Sequence, residues 1–523
     1  MVIENKSAPA SPQVTPAHLA YGSEVTTREV HNTVLNMEAR LRVQPTYVLY
    51  TSAMLAFVLP LQYGWSTSQL NLRKFHNVDD CAARPVVEGT CIMFPGHTKF
   101  QWTIVVNAWI VGGMFGAFFV GKLSDRFGRK QVLIYNCGII IVSAVIMAVV
   151  SNLWAFAVGR LLAGLASGAT SGNVGSYINE ISPPHLRSLF GGGLHSSNTV
   201  GILLVATTFF YMDFEDGWRY IAAFPIVLAI IFLLMSHYFM VESPVWLLMK
   251  GRRSDAEAVL TRLYGANNVP VALDWIESKR KVDLELQSSV WSENGNDVVR
   301  SGKGAPFTEI ISPALRRQFI IVIGIACMQK ITGINTVFYY SSDLFTQAGL
   351  KNVLVNTIII DVVNMLPSLV SGFLASRFGN RCMLLWGIVG MFFSAVGVTL
   401  SLTFNWSTLT ILFIATYVIA FGVSLGPLMY VLVADIFPDY ARATVSSIGV
   451  MVAWSSNLIV GVGYPYISSA LGNLAYLPFV VLLVLSFAFV FILVPETSGK
   501  TNEEIQDEFR ALRQRKRHTA TAN

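Results

Sequence analysis

Long apolar runs alternate with short polar gaps along almost the whole chain after residue 45. Each run is about 20 residues, the length a helix needs to span the hydrocarbon core of a bilayer. Twelve can be placed, centred near Met54, Val111, Ile141, Leu162, Gly201, Leu228, Ile325, Val363, Met391, Val418, Val452 and Leu483. Strands of a membrane barrel would alternate apolar and polar positions, and runs such as 134–150 and 479–494 do not. The pattern predicts an all-α membrane protein with twelve transmembrane helices in two sets of six, over 46–241 and 317–494. The polar linker between them, 242–316, is far longer than the usual connection between packed helices. Inside it, the spacing of Ala256, Val259, Leu260 and Leu263 predicts a short helix over 254–264, and the Ser-, Gly- and Asn-rich stretch 288–304 predicts a flexible segment. Residues 1–45 read as a disordered cytosolic tail with a short amphipathic helix near 27–42. Residues 495–523 read as a cytosolic C-terminal tail with an amphipathic stretch from Glu503 to Leu512. No signal-peptide pattern precedes the first run, so that helix is expected to serve as its own uncleaved insertion signal.

The two sets of six carry matching polar signatures. Asp125-Arg126-Phe127-Gly128-Arg129-Lys130 returns 251 positions later as Ser376-Arg377-Phe378-Gly379-Asn380-Arg381. Glu180 and Arg187 flank the gap between helices 4 and 5, and Asp435 and Arg442 flank the gap between helices 10 and 11 with the same spacing of seven. Two pseudo-symmetric halves are expected. Doubled membrane architectures of this kind hold a substrate between the halves, near the bilayer midplane, and work as transporters.

Composition agrees with the pattern. The chain is 53% hydrophobic and 13% charged, with a mean hydropathy of +0.54, against about 25% charged residues in a soluble domain. The net charge of +6 does not indicate nucleic acid, because the basic residues cluster in alternate gaps. Lys122, Arg126, Arg129, Lys130, Arg187, Arg252, Arg253, Arg377, Arg381 and Arg442 all fall on one side, and the opposite gaps are poor in Lys and Arg apart from 72–100. The positive-inside rule then places both termini in the cytosol of a multi-pass protein, with the plasma membrane the expected location. The chain shows no HExxH, no cysteine cluster and no nucleophile elbow. Neither an enzyme nor a metal or cofactor protein is expected. Cys81 and Cys91 share the first outside gap. They are either free thiols or a disulfide, and the oxidising face favours the disulfide. Asn405-Trp406-Ser407 is a glycosylation sequon in a very short outer gap, where occupancy is not expected.

Charges inside spans cost roughly 2.5–3.5 kcal/mol each on insertion scales, so each needs a partner or a purpose. Asp125, Arg126, Arg129, Arg160, Glu180, Arg187, Glu242, Arg377, Arg381, Asp435, Arg442 and Glu496 are expected to form a charge network that closes the inner side. The plainer alternative is a set of topology signals. The second loop has Ser376 and Asn380 where the first has an acid and a base, so the network should be firmer in the N-terminal half. Glycines recur on one face of helix 4 at Gly159, Gly164 and Gly168 and suit either close static packing or helices that slide.

Deeper polar residues are of another kind. Helix 7 has Gln329, Lys330, Thr332, Asn335, Tyr339 and Tyr340; helix 8 has Asp361 and Asn364; helix 5 has His195, Ser196 and Asn198. Helix 1 has Gln62, Ser66, Thr67 and Gln69, and helix 11 has Trp454 and Asn457. Any one of them could be interhelical glue. Together, amides, hydroxyls and flat aromatic faces suit a neutral polyhydroxylated ligand. Lys330 needs a partner in a dry site, and a Lys330–Asp361 contact is expected.

An ordered series of motifs resembles the sugar porter family of the major facilitator superfamily, and is similar to the facilitative glucose (hexose) transporters. It comprises Gly121 to Lys130; Gly159-Arg160 with Gly164; Glu180 and Pro183 with Arg187; Glu242-Ser243-Pro244; Gln329 with Gly333-Ile334-Asn335; Asp435 with Arg442; and Pro495-Glu496-Thr497 with Gly499-Lys500. The match spans about 47–510. The resemblance implies two six-helix bundles that rock around a central sugar site, a small-molecule sugar as partner besides the lipid, and a single chain as sufficient unit. Substrate contacts carried over by position are Gln329, Asn335, Asn364, Trp454 and the adjacent Asn457, with Tyr339 and Tyr340 as outer gate. Four positions depart from the family's pattern: His195 stands for a Gln, Lys330 for a second Gln, Ala453 for an Asn and Tyr430 for a Trp. Proton-coupled members usually carry Asp at the position of Ser66, so uniport is expected and proton–sugar symport is the alternative. A transporter-like sugar sensor is the rival from another class. Sensors of that type tend to have long cytosolic tails, and only 28 residues follow Pro495 here.

Overall fold

The computed structural model describes residues 43–71, 78–87, 91–183, 186–278, 310–313, 315–339, 352–437, 439–498, 500 and 504–512. The expected helix near 27–42, the stretch 288–304 and Tyr340 lie outside the described residues, as do the side chains of Ser376 and Arg442.

The N-terminal half consists of α1 (Tyr47–Ser68), α2 (Lys99–Phe127), α3 (Arg129–Val149), α4 (Leu153–Ile181), α5 (Gly193–Thr208) and α6 (Gly217–Phe239). The C-terminal half consists of α7 (Arg316–Ile331), α8 (Val353–Phe378), α9 (Asn380–Thr403), α10 (Ser407–Val423 and Leu425–Ile436, broken at Ser424), α11 (Asp439–Leu471) and α12 (Leu477–Leu493). Nine of the described helices are long and apolar enough to cross a membrane. α12 has 17 residues and α5 has 16. α1 has 22 and carries Gln62, Ser66, Thr67 and Ser68. Local chemistry sets several starts. Thr98 and Gln101 form a reciprocal capping box on α2, and the Asn152 side chain accepts from Trp154 and Ala155 backbone N–H at the start of α4.

The two halves repeat in their packing. α1 packs on α5, α2 and α3 on α4, and α3 on α6; in the same way α7 packs on α11, α8 and α9 on α10, and α9 on α12. Between the halves, α2 packs on α11 and α5 on α8. Adding six to each helix number converts one of these contacts into the other, as a two-fold relation between halves requires. Glycine seams let the N-terminal helices approach closely. A Cβ on Gly112 or Gly116 of α2 would fall 1.9 Å or 2.0 Å from the carbonyl oxygens of Leu161 and Leu165 on α4. One on Gly164 of α4 would fall 1.9 Å from Trp109 O on α2. Backbone thus touches backbone, as small residues permit in lipid.

The repeated loop has the same construction twice. Gly128 (φ 103°) joins α2 to α3, and Gly379 (φ 89°) joins α8 to α9. Both hold a left-handed backbone that a side chain would strain. Glu242 accepts hydrogen bonds from the backbone N–H of Arg129 (2.9 Å) and Lys130 (3.0 Å), and Glu496 accepts from Asn380 (2.9 Å) and Arg381 (3.0 Å). A carboxylate from the far end of each half thereby satisfies the free donors at a helix N-terminus, where the helix dipole also favours negative charge. Glu242→Gln and Glu496→Gln are each expected to cost about 1–2 kcal/mol, read as a lowered unfolding temperature of the detergent-solubilised protein. An unchanged midpoint would mean that these carboxylates serve another purpose.

Short helices Pro244–Met249 and Arg253–Tyr264 lie on the same face as the two loops. Tyr264 Oη donates to Ile181 O at the end of α4 (2.6 Å), and Thr46 N, at the start of α1, donates to Leu263 O (2.8 Å). Burial pushes the Tyr264 hydroxyl well above its ordinary pKa, so it stays a donor. A further helix runs over 504–512, with Ile505 and Phe509 buried and Gln506 bonded to Gln318 at the start of α7 (2.8 Å). On the opposite face Cys81 and Cys91 are joined by a disulfide. His97 stacks on Trp102 beside it, and burial lowers the His97 pKa.

Candidate functional site

A cavity of about 20 Å³ lies between the halves. It is lined by Tyr63 and Thr67 of α1, by His195, Asn198 and Ile202 of α5, and by Lys330, Asn335, Phe338 and Tyr339 of α7 and its continuation. Asn364 of α8 and Phe421 of α10 complete it. That volume holds about one water molecule. A larger ligand needs the described walls to part first.

Both ends are packed. Toward the face of the disulfide, Tyr63, Trp109 and Trp454 bring their ring centroids within 4.8–5.7 Å of one another across the two halves, and Tyr339 sits 6.4 Å from Trp109. Asn335 Nδ2 donates to Asn457 Oδ1 (2.6 Å), and Asn457 Nδ2 donates to Tyr339 Oη (2.7 Å). Ser68 Oγ reaches Phe338 O (3.4 Å), and Lys99 Nζ reaches Ser469 Oγ (2.7 Å), again between halves. Toward the basic face, Ser196 Oγ donates to Ser368 O (3.3 Å), and a Cβ on Gly121 would fall 2.7 Å from Ser447 Oγ.

Asn335, Asn364, His195 and Lys330 line the cavity. Gln329 does not: its Nε2 donates to Gly426 O (2.8 Å), which ties α7 to the α10 backbone. Trp454, Asn457 and Tyr430 also stand outside the lining. Trp454 belongs to the aromatic plug, with Nε1 toward Ser171 Oγ (3.4 Å). Tyr430 packs among the apolar cores of both halves. Tyr63, Phe338, Phe421 and Trp109 are additions that sequence reasoning missed. They are aromatics in apolar runs, where a side chain facing lipid and one facing a cavity look alike.

The expected Lys330–Asp361 contact is absent. Lys330 faces the cavity, whereas Asp361 is buried outside its lining, with Oδ2 lacking a partner. Asp361 precedes the cavity-lining Asn364 by almost one helical turn on the way to the disulfide face. Arg160 also differs from expectation. α4 starts at the disulfide face, so Arg160 lies in that half of the helix and not among the inner charges. Its Nη1 donates to Ser66 O on α1 (2.8 Å), and its guanidinium lies 5.5 Å from the Trp109 ring centroid. The Ser66 hydroxyl accepts from Gln62 Nε2 (2.9 Å).

The inner charges form a compact group in the N-terminal half. Arg129, 4% exposed, bonds Asp125 (3.1 Å), Glu180 (3.0 Å) and Ser124 O (3.0 Å). Glu180 also accepts from the Ser243 hydroxyl. Arg187 Nε reaches Ser182 O (3.2 Å), and Arg126 lies over Phe127. In the second half Asn380 takes the place of Arg129 and donates to Thr497 Oγ1 (2.8 Å). Arg381 donates to Phe491 O (2.6 Å), and Arg377 lies exposed at the end of α8. Asp435 closes α10. The geometry recorded for Arg129, Asp125, Glu180, Glu242 and Glu496 braces each half internally and does not bridge the halves.

Comparison with known proteins agrees with this architecture. The family model described as "Sugar (and other) transporter" matches residues 45–509. Solute carrier family 2, facilitated glucose transporter member 1 of Gallus gallus is 33% identical over 428 residues, covering 80% of this chain and 84% of that protein. Member 4 of Homo sapiens is 30% identical, covering 90% and 91%, and the glucose transporter GlcP of Staphylococcus epidermidis is 30% identical, covering 78% and 88%. Among solved structures, the major facilitator proton:xylose symporter XylE bound to 6-bromo-6-deoxy-D-glucose superposes with a TM-score of 0.73 at 23% identity, covering 88% of this chain and 99% of that one. With motifs, helix pairing and fold in agreement, the chain belongs to the sugar (and other) transporter family and is a multi-pass membrane protein with the fold of the major facilitator protein XylE.

Proposed function

We propose that the protein carries a hexose-sized sugar across the plasma membrane by alternating access, as a uniporter with the basic face and both termini in the cytosol. The observation that carries this reading is the central cavity. The amide oxygens of Asn198 and Asn364 are buried at its wall without hydrogen-bond partners among the described residues, beside Asn335, Thr67 and Tyr339. Unsatisfied buried acceptors are costly, and sugar hydroxyls would satisfy them. Phe338 and Phe421 offer flat apolar faces to the ring C–H groups. Each half is braced internally, and among the described residues the halves meet through a small number of polar bonds and the aromatic plug, which suits rigid rocking. One chain contains both halves, so a monomer suffices.

Uniport is supported by the α1–α4 contact. Arg160 is anchored on the Ser66 backbone, and a hydroxyl cannot exchange a proton near neutral pH. A second reading, proton–sugar symport, is favoured by the buried carboxylate of Asp361, which has no ion pair among the described residues. Labelled hexose uptake into proteoliposomes separates the two. Saturable uptake and counterflow independent of a pH gradient are expected, and accumulation driven by outside acidification would replace uniport with symport. Asn364→Ala is expected to raise KM for hexose about tenfold, the loss of one or two hydrogen bonds to substrate. An unaltered KM would remove α8 from the site.

A further inference from the structure

Among the described residues, the lining of the central cavity holds one lysine and no acid. Lys330 and His195 line it, from α7 and α5, with amides, hydroxyls and aromatics for the remainder. Among the described residues Lys330 enters no ion pair, and the nearest-in-sequence candidate on the neighbouring helix, Asp361, is outside the lining. His195 is 8% exposed and its Nε2 has no hydrogen-bond partner. A lysine in a dry, uncompensated site is expensive and needs an opposite charge when charged. The anion that could supply it is the transported molecule.

We infer that the preferred substrate is a sugar acid, a hexuronate whose carboxylate is held by Lys330 and whose hydroxyls meet Asn198, Asn335 and Asn364. This rests on the reading of the cavity as a sugar site and narrows it. Lys330 gives a charge-assisted bond that a neutral hexose cannot repay, so binding a neutral sugar would leave the ammonium buried and unpaired. A neutral hexose is disfavoured for that reason, although it fits the same amides. Because uniport of an anion moves charge, the rate should respond to membrane potential.

The test uses the purified full chain in proteoliposomes, with labelled D-glucuronate and labelled D-glucose measured in parallel at neutral pH. Glucuronate is expected to show a kcat/KM about tenfold or more above that of glucose. An inside-positive potential set with potassium and valinomycin should speed glucuronate uptake and leave glucose uptake unaffected. Lys330→Gln should lower glucuronate uptake about tenfold and raise glucose uptake above wild type, while Lys330→Arg should keep the preference for the acid. Wild-type competition needs no variant to fold: unlabelled glucuronate should suppress glucose uptake. If glucose is taken up and glucuronate is neither transported nor inhibitory, the sugar-acid inference is overturned and the sugar-transport reading stands. If monodisperse protein transports neither, both fall.

Discussion

Gly164→Ala is expected to prevent assembly of the N-terminal bundle. The added Cβ would fall 1.9 Å from the carbonyl oxygen of Trp109, an atom of backbone that no side-chain rotation can move. α2 and α4 would have to separate by more than 1 Å at the centre of a seam that also joins Gly112 to Leu161, Gly116 to Leu165 and Gly168 to Gly113. Such overpacking costs about 3 kcal/mol or more. Trp109 and Arg160 sit on this seam, so the aromatic plug and the Ser66 contact would be displaced with it. Fluorescence-detected size exclusion of the detergent-solubilised variant should show loss of the monodisperse peak. Gly138→Ala on α3, where a Cβ meets nothing within 4 Å, is the control and should behave as wild type or slightly better. A monodisperse, thermally normal Gly164→Ala protein would refute the close helix packing on which the N-terminal half is built.

The spans and the two-fold plan were legible because they depend on sums over many residues. A run of 20 apolar positions and a hexapeptide repeated at 251 positions survive local exceptions. Single side chains were less legible, for physical reasons that differ from case to case. Arg160 was expected with the inner charges because charge type suggested it; the direction of α4 puts it at the other end, against Ser66. Glu242 and Glu496 were expected as gate charges, yet their partners are backbone N–H groups of Arg129, Lys130, Asn380 and Arg381, and backbone donors leave no trace in charge pattern. Gln329 shares a helix face with Asn335 by spacing, but the break of α10 at Ser424 presents Gly426 O to it and removes it from the cavity. Lys330 and Asp361 were paired by proximity of helices, and the cavity separates their surroundings. The reverse failure concerns Tyr63, Phe338 and Phe421, which line the cavity in residue types that hydropathy assigns to lipid or core.

The asymmetry of the repeated loop has a measurable consequence. Arg129 and Asn380 are equivalent positions, 251 apart. Arg129 holds Asp125, Glu180 and Ser124 O around a guanidinium that is almost wholly removed from water. Among the described residues the Asn380 side chain makes a single neutral bond, to Thr497. Removing one partner of a fully buried ion pair leaves the other charge uncompensated, at a cost of about 3–5 kcal/mol. With Glu180 at 17% and Asp125 at 50% exposure the loss here should be about 2–3 kcal/mol, whereas losing a neutral hydrogen bond costs about 1 kcal/mol. Arg129→Met should therefore lower the unfolding temperature more than Asn380→Ala. The larger loss is a charge effect and not a volume effect, so Arg129→Met combined with Glu180→Gln should recover a substantial part of it, because the stranded carboxylate is then gone. Asn380→Ala has no comparable second-site rescue at Thr497. Equal destabilisation by the two single changes, or a double variant no better than Arg129→Met alone, would show that the acid and base of the first loop add nothing to what the second loop achieves with neutral groups. The expected inequality would make the N-terminal half the stiffer body, against which the C-terminal half moves.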